Sequence, residues 1–214
     1  MELIYWFVDI VLHLDSHLVE LLRDYGFWVY AILFAIVFAE TGFVVTPFLP
    51  GDALLFAAGA LAAVDSSGTL SAPLVCVTLV IAAVTGNTTN YHIGRRIGPP
   101  AFSGKYRFLK VEYLRRTEKF FARHGSMTLV LARFVPIVRT CVPFVAGIAR
   151  MPYVRFQGYN IGGALIWVLT LVSAGFFFGN IPLIKNNFGI VTICIVLVSV
   201  LPMAWVAWKE RRRQ

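Results

Sequence analysis

The chain has 214 residues, of which 58% are hydrophobic and 14% are charged. A soluble domain carries about 25% charged residues, so the composition excludes an ordinary soluble protein and indicates one compact integral membrane domain. The net charge of +8 does not indicate nucleic-acid binding, because most of the basic residues lie in three short segments that flank apolar stretches. These segments are 95–123, 150–155 and 209–213.

The pattern of cysteine and histidine predicts no metal and no other cofactor. Cys76, Cys141 and Cys194 lie in apolar stretches without paired spacing or neighbouring histidines, so we expect buried thiols rather than disulfides. His13 and His17 are one helical turn apart, but no carboxylate or thiol shares their stripe. We therefore interpret them as part of a solvated face.

In the first segment, residues 1–24, the spacing of the residues would place apolar side chains on one face of a helix and polar side chains on the other. This pattern predicts an amphipathic helix that lies in the membrane interface rather than spanning the bilayer.

Residues 26–64 contain two apolar arms that are each too short to span a membrane, which needs about 20 residues in a helix. Between the arms lie two carboxylates, Glu40 and Asp52, and a run of residues that a continuous helix tolerates poorly. We predict a re-entrant hairpin whose broken tip lies at mid-membrane depth, where irregular backbone must be buried in protein or line a wet cavity. The helix-breaking residues are Pro47, Pro50 and Gly51.

The sequence predicts a first transmembrane helix over 72–94 and a basic, aromatic amphipathic helix over 100–124 on an anionic membrane surface. Residues 125–150 then repeat the pattern of the first hairpin, with Pro136 and Pro143 as the predicted breaks. Two arginines, Arg133 and Arg139, stand where the first hairpin has acids. We expect a helix to restart at Thr140, so that free backbone N–H groups and an arginine converge on one anion.

Two further transmembrane helices are predicted over 156–179 and 188–208, followed by a basic tail over 209–214. The positive-inside rule places the tail and the 95–123 loop in the cytoplasm. The first hairpin then enters from outside and the second from the cytoplasm. The predicted fold is an all-α inverted repeat with two opposed re-entrant hairpins, three long transmembrane helices and two amphipathic surface helices.

Hairpins that meet tip to tip would bring Glu40 and Asp52 towards Arg133 and Arg139. Four unpaired charges inside a bilayer would cost about 10–14 kcal/mol in total, so they must be paired or hydrated. One interpretation is an ion-pair network that only holds the fold. The alternative is a transport site, in which Arg139 is the main phosphate ligand, Arg133 and Thr140 support it, and the two acids accept protons.

Several motifs of the chain together resemble the DedA family of bacterial inner-membrane proteins, whose eukaryotic relatives are the VTT-domain proteins. They are Glu40…Pro47-Phe-Leu-Pro-Gly-Asp52, Asn90-Tyr-His-Ile-Gly, Arg133-Phe-Val-Pro-Ile-Val-Arg-Thr140…Pro143-Phe-Val-Ala-Gly147 and Phe156…Asn160…Gly163-Ala…Trp167. The resemblance implies opposed hairpins, essential charges at Glu40, Asp52, Arg133 and Arg139, and lipid movement linked to the proton motive force. Asn87 departs from the pattern, in which an Asp is common.

The leading functional hypothesis is a non-enzymatic, multi-pass inner-membrane transporter that translocates a phosphate-headed lipid, undecaprenyl phosphate or a phospholipid, with protons as the second partner. A proton-coupled transporter of a small ion or osmolyte is the alternative. A lipid phosphatase is disfavoured because neither hairpin contains a histidine. A scaffold or assembly role also stays open, as does the oligomeric state, a homo-oligomer included.

Overall fold

The computed structural model describes residues 24–43, 51–65, 68–98, 125–131 and 136–182, and also 20, 100, 119, 121 and 133 as single positions. Within these residues every regular element is a helix. The predicted surface helices over 1–24 and 100–124 lie almost entirely outside the described residues. The predicted transmembrane helix over 188–208, the tail over 209–214, Pro47 and Pro50 lie wholly outside them.

Six α-helices are described, and a 3-10 turn precedes the first and the fourth of them (Gly26–Trp28 and Gly125–Met127). The α-helices are α1 (Val29–Gly42), α2 (Gly51–Val64), α3 (Ala72–Ile97), α4 (Thr128–Leu131), α5 (Pro136–Ile148) and α6 (Tyr153–Phe178).

The two arms of the first predicted hairpin form two short helices. Helices α1 and α2 have 14 residues each, so each is about 21 Å long at 1.5 Å per residue. The hydrocarbon core of a bilayer is about 30 Å thick, so neither helix spans it alone. Helix α2 begins at Gly51, so the predicted helix-breaking residue Gly51 is the first residue of the helix rather than part of the break. The re-entrant path itself stays a prediction.

The second predicted hairpin differs from the sequence-based prediction in two ways. Helix α5 begins at Pro136, not at Thr140, because a proline fits the first turn of a helix, where its missing N–H has no partner to lose. The prediction that Pro143 breaks the helix is also wrong, since α5 continues through Pro143 to Ile148. Proline there cannot donate to the carbonyl of Arg139, but its neighbours Val142 and Phe144 are fully buried, and this packing outweighs the lost hydrogen bond.

Helices α3 and α6 have 26 residues each and are long and apolar enough to cross a membrane. They coincide with the predicted transmembrane helices 72–94 and 156–179, with ends that differ by up to three residues. Of the most apolar window of each helix, 33% is buried within the protein. Both helices therefore have the length and composition of transmembrane helices.

The described residues fall into two compact units, and both long helices contribute to both. The first unit contains the start of α1, all of α2, α3 up to Leu79 and α6 from Val168 onwards. The second contains the end of α1, α3 from Val80, α4, α5 and α6 up to Trp167.

In the first unit, α2 and α6 touch through glycines. A methyl group added to Gly59 would overlap the carbonyl oxygen of Val172, and one added to Gly175 would overlap that of Phe56. The Asn180 side chain also donates to the carbonyl of Ala60 at 3.1 Å. Backbone contact of this kind is how small residues hold helices together in membranes, where no hydrophobic effect drives them.

In the second unit, α3 and α5 make the same kind of contact. A methyl group on Gly94 would overlap the carbonyl oxygen of Phe144, and one on Gly147 would overlap that of Tyr91. Gly94 of α3 thus plays the same part in the second unit as Gly175 of α6 in the first, since each glycine of a long helix contacts a carbonyl of a shorter helix. The core beside this contact contains Tyr91 stacked on Phe156, with ring centroids 4.4 Å apart. This packing joins α3, α5 and α6 within the second unit, which also contains Glu40, Arg133 and Arg139.

Candidate functional site

The centre of the candidate site is an ion pair between Glu40 and Arg139, 99 residues apart in the chain. Glu40 is in the last turn of α1 and its side chain is fully buried, while Arg139 is near the start of α5 and 9% of its side chain is exposed. Helix α1 is otherwise apolar, so an unpaired carboxylate there would be costly in lipid. The predicted meeting of Glu40 with Arg139 is confirmed.

Arg133 lies between α4 and α5, and only 6% of its surface is exposed. Its terminal nitrogen donates to Asn160 of α6, at 3.1 Å to the carbonyl oxygen and 2.9 Å to the side-chain oxygen. Arg133 is therefore held by a neutral residue.

The indole of Trp167 lies close to both arginines. The ring centroid is 5.9 Å from Cζ of Arg133 and 5.5 Å from Cζ of Arg139. A cation within about 6 Å of a tryptophan ring is attracted by its negative face, more strongly when both are removed from water. Trp167 is itself buried, so one aromatic ring attracts two positive charges that repel each other.

Asn90 of α3 connects the two segments that carry the ion pair. Its side-chain nitrogen donates to the carbonyls of Thr41 and Thr140, at 3.2 and 2.7 Å. These two threonines directly follow Glu40 and Arg139 in the chain. Asn90 thus fixes the backbone on both sides of the ion pair.

A second amide network surrounds Asn160. Its side-chain oxygen accepts from Asn87 at 2.9 Å, and its nitrogen donates to the carbonyl of Val84 at 3.1 Å and to the side-chain oxygen of Gln157 at 3.2 Å. Gln157 in turn donates to the hydroxyl of Thr88 at 2.8 Å. The orientation of the Asn160 amide is therefore fixed, with its oxygen towards Arg133.

These groups enclose a small cavity of about 10 Å³, which is close to the volume that one water molecule needs. Its lining combines two guanidinium groups with hydroxyl, amide and indole groups. The lining residues are Thr41, Asn87, Arg133, Arg139, Thr140 and Trp167. The cavity therefore places polar and cationic groups around a space for about one water molecule.

The structure brings together three of the four predicted charges, with Thr140 beside them in the cavity wall. Asp52 lies in the first turn of α2, in the first unit, and is half-buried. Within the described residues, no cluster of three His, Cys, Asp or Glu side chains could hold a metal ion.

Charge and helix breaks alone did not point to the four neutral residues that complete the site. All four are buried: Asn87 and Trp167 line the cavity, and Asn90 and Asn160 make hydrogen bonds to residues that line it. A usable signal was present in the sequence, because a buried amide within a transmembrane helix normally has a partner on another helix. That signal does not say which residue the partner is.

Comparison with known proteins gives the family. The VTT domain model matches residues 49–177. Protein DedA of Escherichia coli strain K12 is 51% identical over 203 residues, which cover 94% of this chain and 92% of that protein.

More distant relatives agree with this match. An uncharacterised membrane protein of Mycobacterium leprae is 39% identical and covers 88% of the chain and 85% of its own length. Inner membrane protein YqjA of Escherichia coli strain K12 is 32% identical, with 85% of each chain covered. No solved structure matches. The chain therefore belongs to the DedA family of VTT-domain membrane proteins.

Proposed function

We propose that this protein translocates a phosphate-headed lipid, undecaprenyl phosphate or a phospholipid, across the bacterial inner membrane. The observation that carries the proposal is the burial of Arg133 and Arg139 together against one indole ring, with Glu40 paired to Arg139. A guanidinium binds phosphate through two parallel hydrogen bonds, which a lysine cannot reproduce. The name of the relative YqjA supports the inner-membrane location.

The arrangement is difficult to explain as a purely structural one. A charge at the centre of a bilayer costs about 2.5–3.5 kcal/mol on insertion scales. The ion pair reduces this cost for Glu40 and Arg139, but Arg133 adds a further positive charge held by a neutral amide. Apolar residues of similar volume often replace a buried ion pair without loss of stability, so a fold alone does not need these charges. A site that binds an anion does need them.

Proton coupling in this proposal acts through the two acids, Glu40 and Asp52. Protonation of Glu40 would remove the negative charge that Arg139 contacts, so that Arg139 could turn to a phosphate. Loss of the proton would restore the ion pair and favour release of the phosphate. We assign Asp52 to proton transfer on the basis of its position at the start of α2, beside the helix break predicted from the sequence.

The proposal is tested in proteoliposomes that contain undecaprenyl phosphate in both leaflets. A soluble phosphatase added outside releases phosphate only from the outer leaflet unless the protein moves lipid from the inner leaflet. We expect more phosphate release than from protein-free vesicles, and a dependence on an imposed pH gradient. Phosphate release equal to that of protein-free vesicles, together with no movement of a fluorescent phospholipid beyond that in protein-free vesicles, would refute the proposal.

A matched pair of variants shows whether the buried arginines are involved. Arg139→Lys keeps the positive charge but loses the planar guanidinium group that can bind a phosphate through two hydrogen bonds, so we expect slower lipid movement. Arg155→Lys makes the same change at an exposed position of α6 and should leave lipid movement unchanged. If the wild type moves no lipid but an imposed proton gradient drives uptake of a small ion, the alternative hypothesis of an ion or osmolyte transporter is favoured.

A further inference from the structure

The two buried arginines differ in what compensates their charge. Arg139 is paired with a carboxylate, Glu40. Arg133 bonds only to the oxygens of Asn160, and no carboxylate among the described residues pairs with it. The Nε atoms of the two arginines do not differ, since within the described part of the chain neither makes a hydrogen bond. A phosphate that binds Arg139 must therefore compete with Glu40, whereas one that binds Arg133 competes with no acid.

One face of α6 builds a neutral slot for Arg133. The slot consists of Asn160, Gly163 and Trp167, which are three and four residues apart and so lie on the same side of the helix. A methyl group added to Gly163 would lie 2.9 Å from Nε and 3.1 Å from Cδ of Arg133, too close for normal packing. The slot therefore gives the arginine room, an oxygen acceptor and an aromatic ring, but no negative charge.

From this difference we infer that Arg133, rather than Arg139, is the first ligand of the phosphate, and that Asn160 is its positioning residue. The inference rests on the proposed function and reverses the order of the two arginines expected from the sequence. On binding the ligand, Arg139 would exchange one anion, Glu40, for another, so the carboxylate and the phosphate compete for it. Arg133 would exchange neutral oxygens of Asn160 for charged ones.

The neutrality of Asn160 is then the property that matters, more than its hydrogen bonds. An aspartate at this position has nearly the same shape and still accepts from Arg133, but it neutralises the arginine. An alanine loses the hydrogen bonds and leaves the arginine charged. The second carboxylate oxygen of that aspartate would face the carbonyl of Val84 and the side-chain oxygen of Gln157, so the binding of each variant is compared with its thermal midpoint. If Asn160 only holds the structure, the loss of phosphate binding should follow the loss of thermal midpoint in both variants. If Asn160 keeps Arg133 available to an anion, aspartate should weaken binding more than alanine does at a matched thermal midpoint.

The binding experiment uses the full chain in a non-ionic detergent and titrates it with dodecyl phosphate and, in a separate arm, with inorganic phosphate. Tighter binding of dodecyl phosphate identifies a lipid headgroup as the ligand, and equal binding identifies free phosphate. We expect Asn160→Asp to weaken binding of dodecyl phosphate about 10- to 100-fold, and Asn160→Ala to weaken it less. Gln157→Glu adds the same charge one turn away, where it contacts Asn160 but not Arg133, and should have the smallest effect.

A second comparison tests the arginines directly. Arg133→Lys should weaken binding of dodecyl phosphate more than Arg139→Lys does, in protein that elutes as a single species and keeps the thermal midpoint of the wild type. The inference is overturned if Arg139→Lys has the larger effect, or if Asn160→Asp binds as tightly as Asn160→Ala. It also falls if the wild type binds neither probe and moves no lipid, in which case the proposed function fails with it. Lipid movement by the wild type together with the reversed order of variants would overturn the inference alone.

Discussion

Asn90 offers the sharpest test of how the site is held together. Its side-chain nitrogen donates to the carbonyls of Thr41 and Thr140, which follow the two members of the ion pair. Asn90→Ala removes both hydrogen bonds and leaves a small cavity. Each hydrogen bond contributes about 0.5–1.5 kcal/mol net, so the free energy of unfolding should fall by about 1–3 kcal/mol. Lipid movement should fall as well, because the segments that carry Glu40 and Arg139 lose their shared partner.

The chain provides a matched control for this change. Asn180 is in the first unit and donates a single hydrogen bond, to the carbonyl of Ala60 at 3.1 Å. Asn180→Ala should therefore cost about 0.5–1.5 kcal/mol and leave lipid movement unchanged. Stability is measured by unfolding in mixtures of a mild detergent and sodium dodecyl sulfate, and lipid movement by the phosphatase assay. If Asn90→Ala moves lipid like the wild type despite the expected loss of stability, Asn90 does not position the ion pair.

Three further predictions address the acid, the glycine contact and the indole. Glu40→Gln should abolish the dependence of lipid movement on an imposed pH gradient, because it removes the carboxylate that protonation would neutralise; a gradient dependence equal to that of the wild type would exclude Glu40 from coupling. Gly94→Ala should lower the free energy of unfolding by about 1–3 kcal/mol, because the new methyl group overlaps a carbonyl of α5; Gly158→Ala, where a methyl group meets no atom within 4 Å, is the control and should not destabilise the protein. Trp167→Leu should weaken binding of dodecyl phosphate and lower the thermal midpoint, because two buried guanidinium groups lose about 2 kcal/mol of cation–π attraction each; an unchanged midpoint would show that the ring does not stabilise them.

Charge placement made the ion pair of the site predictable from the sequence. Glu40 and Arg139 each end a short apolar stretch. A single charge in such surroundings is costly, so two opposite charges are expected to form an ion pair. The positions of α1, α2, α3 and α6 followed from helical length and apolar composition in the same way. These features depend on local sequence and on the cost of charge in lipid.

The course of α5 and the partners of Arg133 were not predictable in that way. Proline disfavours a helix interior by about 3 kcal/mol, but the packing of its neighbours decides whether the helix continues, as it does at Pro143. Arg133 could have paired with either predicted acid on charge alone. Its neighbour is Asn160 because α6 presents that face to it, and this depends on how the helices pack rather than on any local pattern.

The paired glycine contacts have a consequence for how such a protein can change. In each unit, two helices are joined through backbone atoms, at Gly59 and Gly175 in one and at Gly94 and Gly147 in the other. None of the residues that line the cavity of the second unit is one of these glycines. Substitutions in the cavity wall can therefore change the polar groups around the cavity while the backbone contact between the two helices is kept.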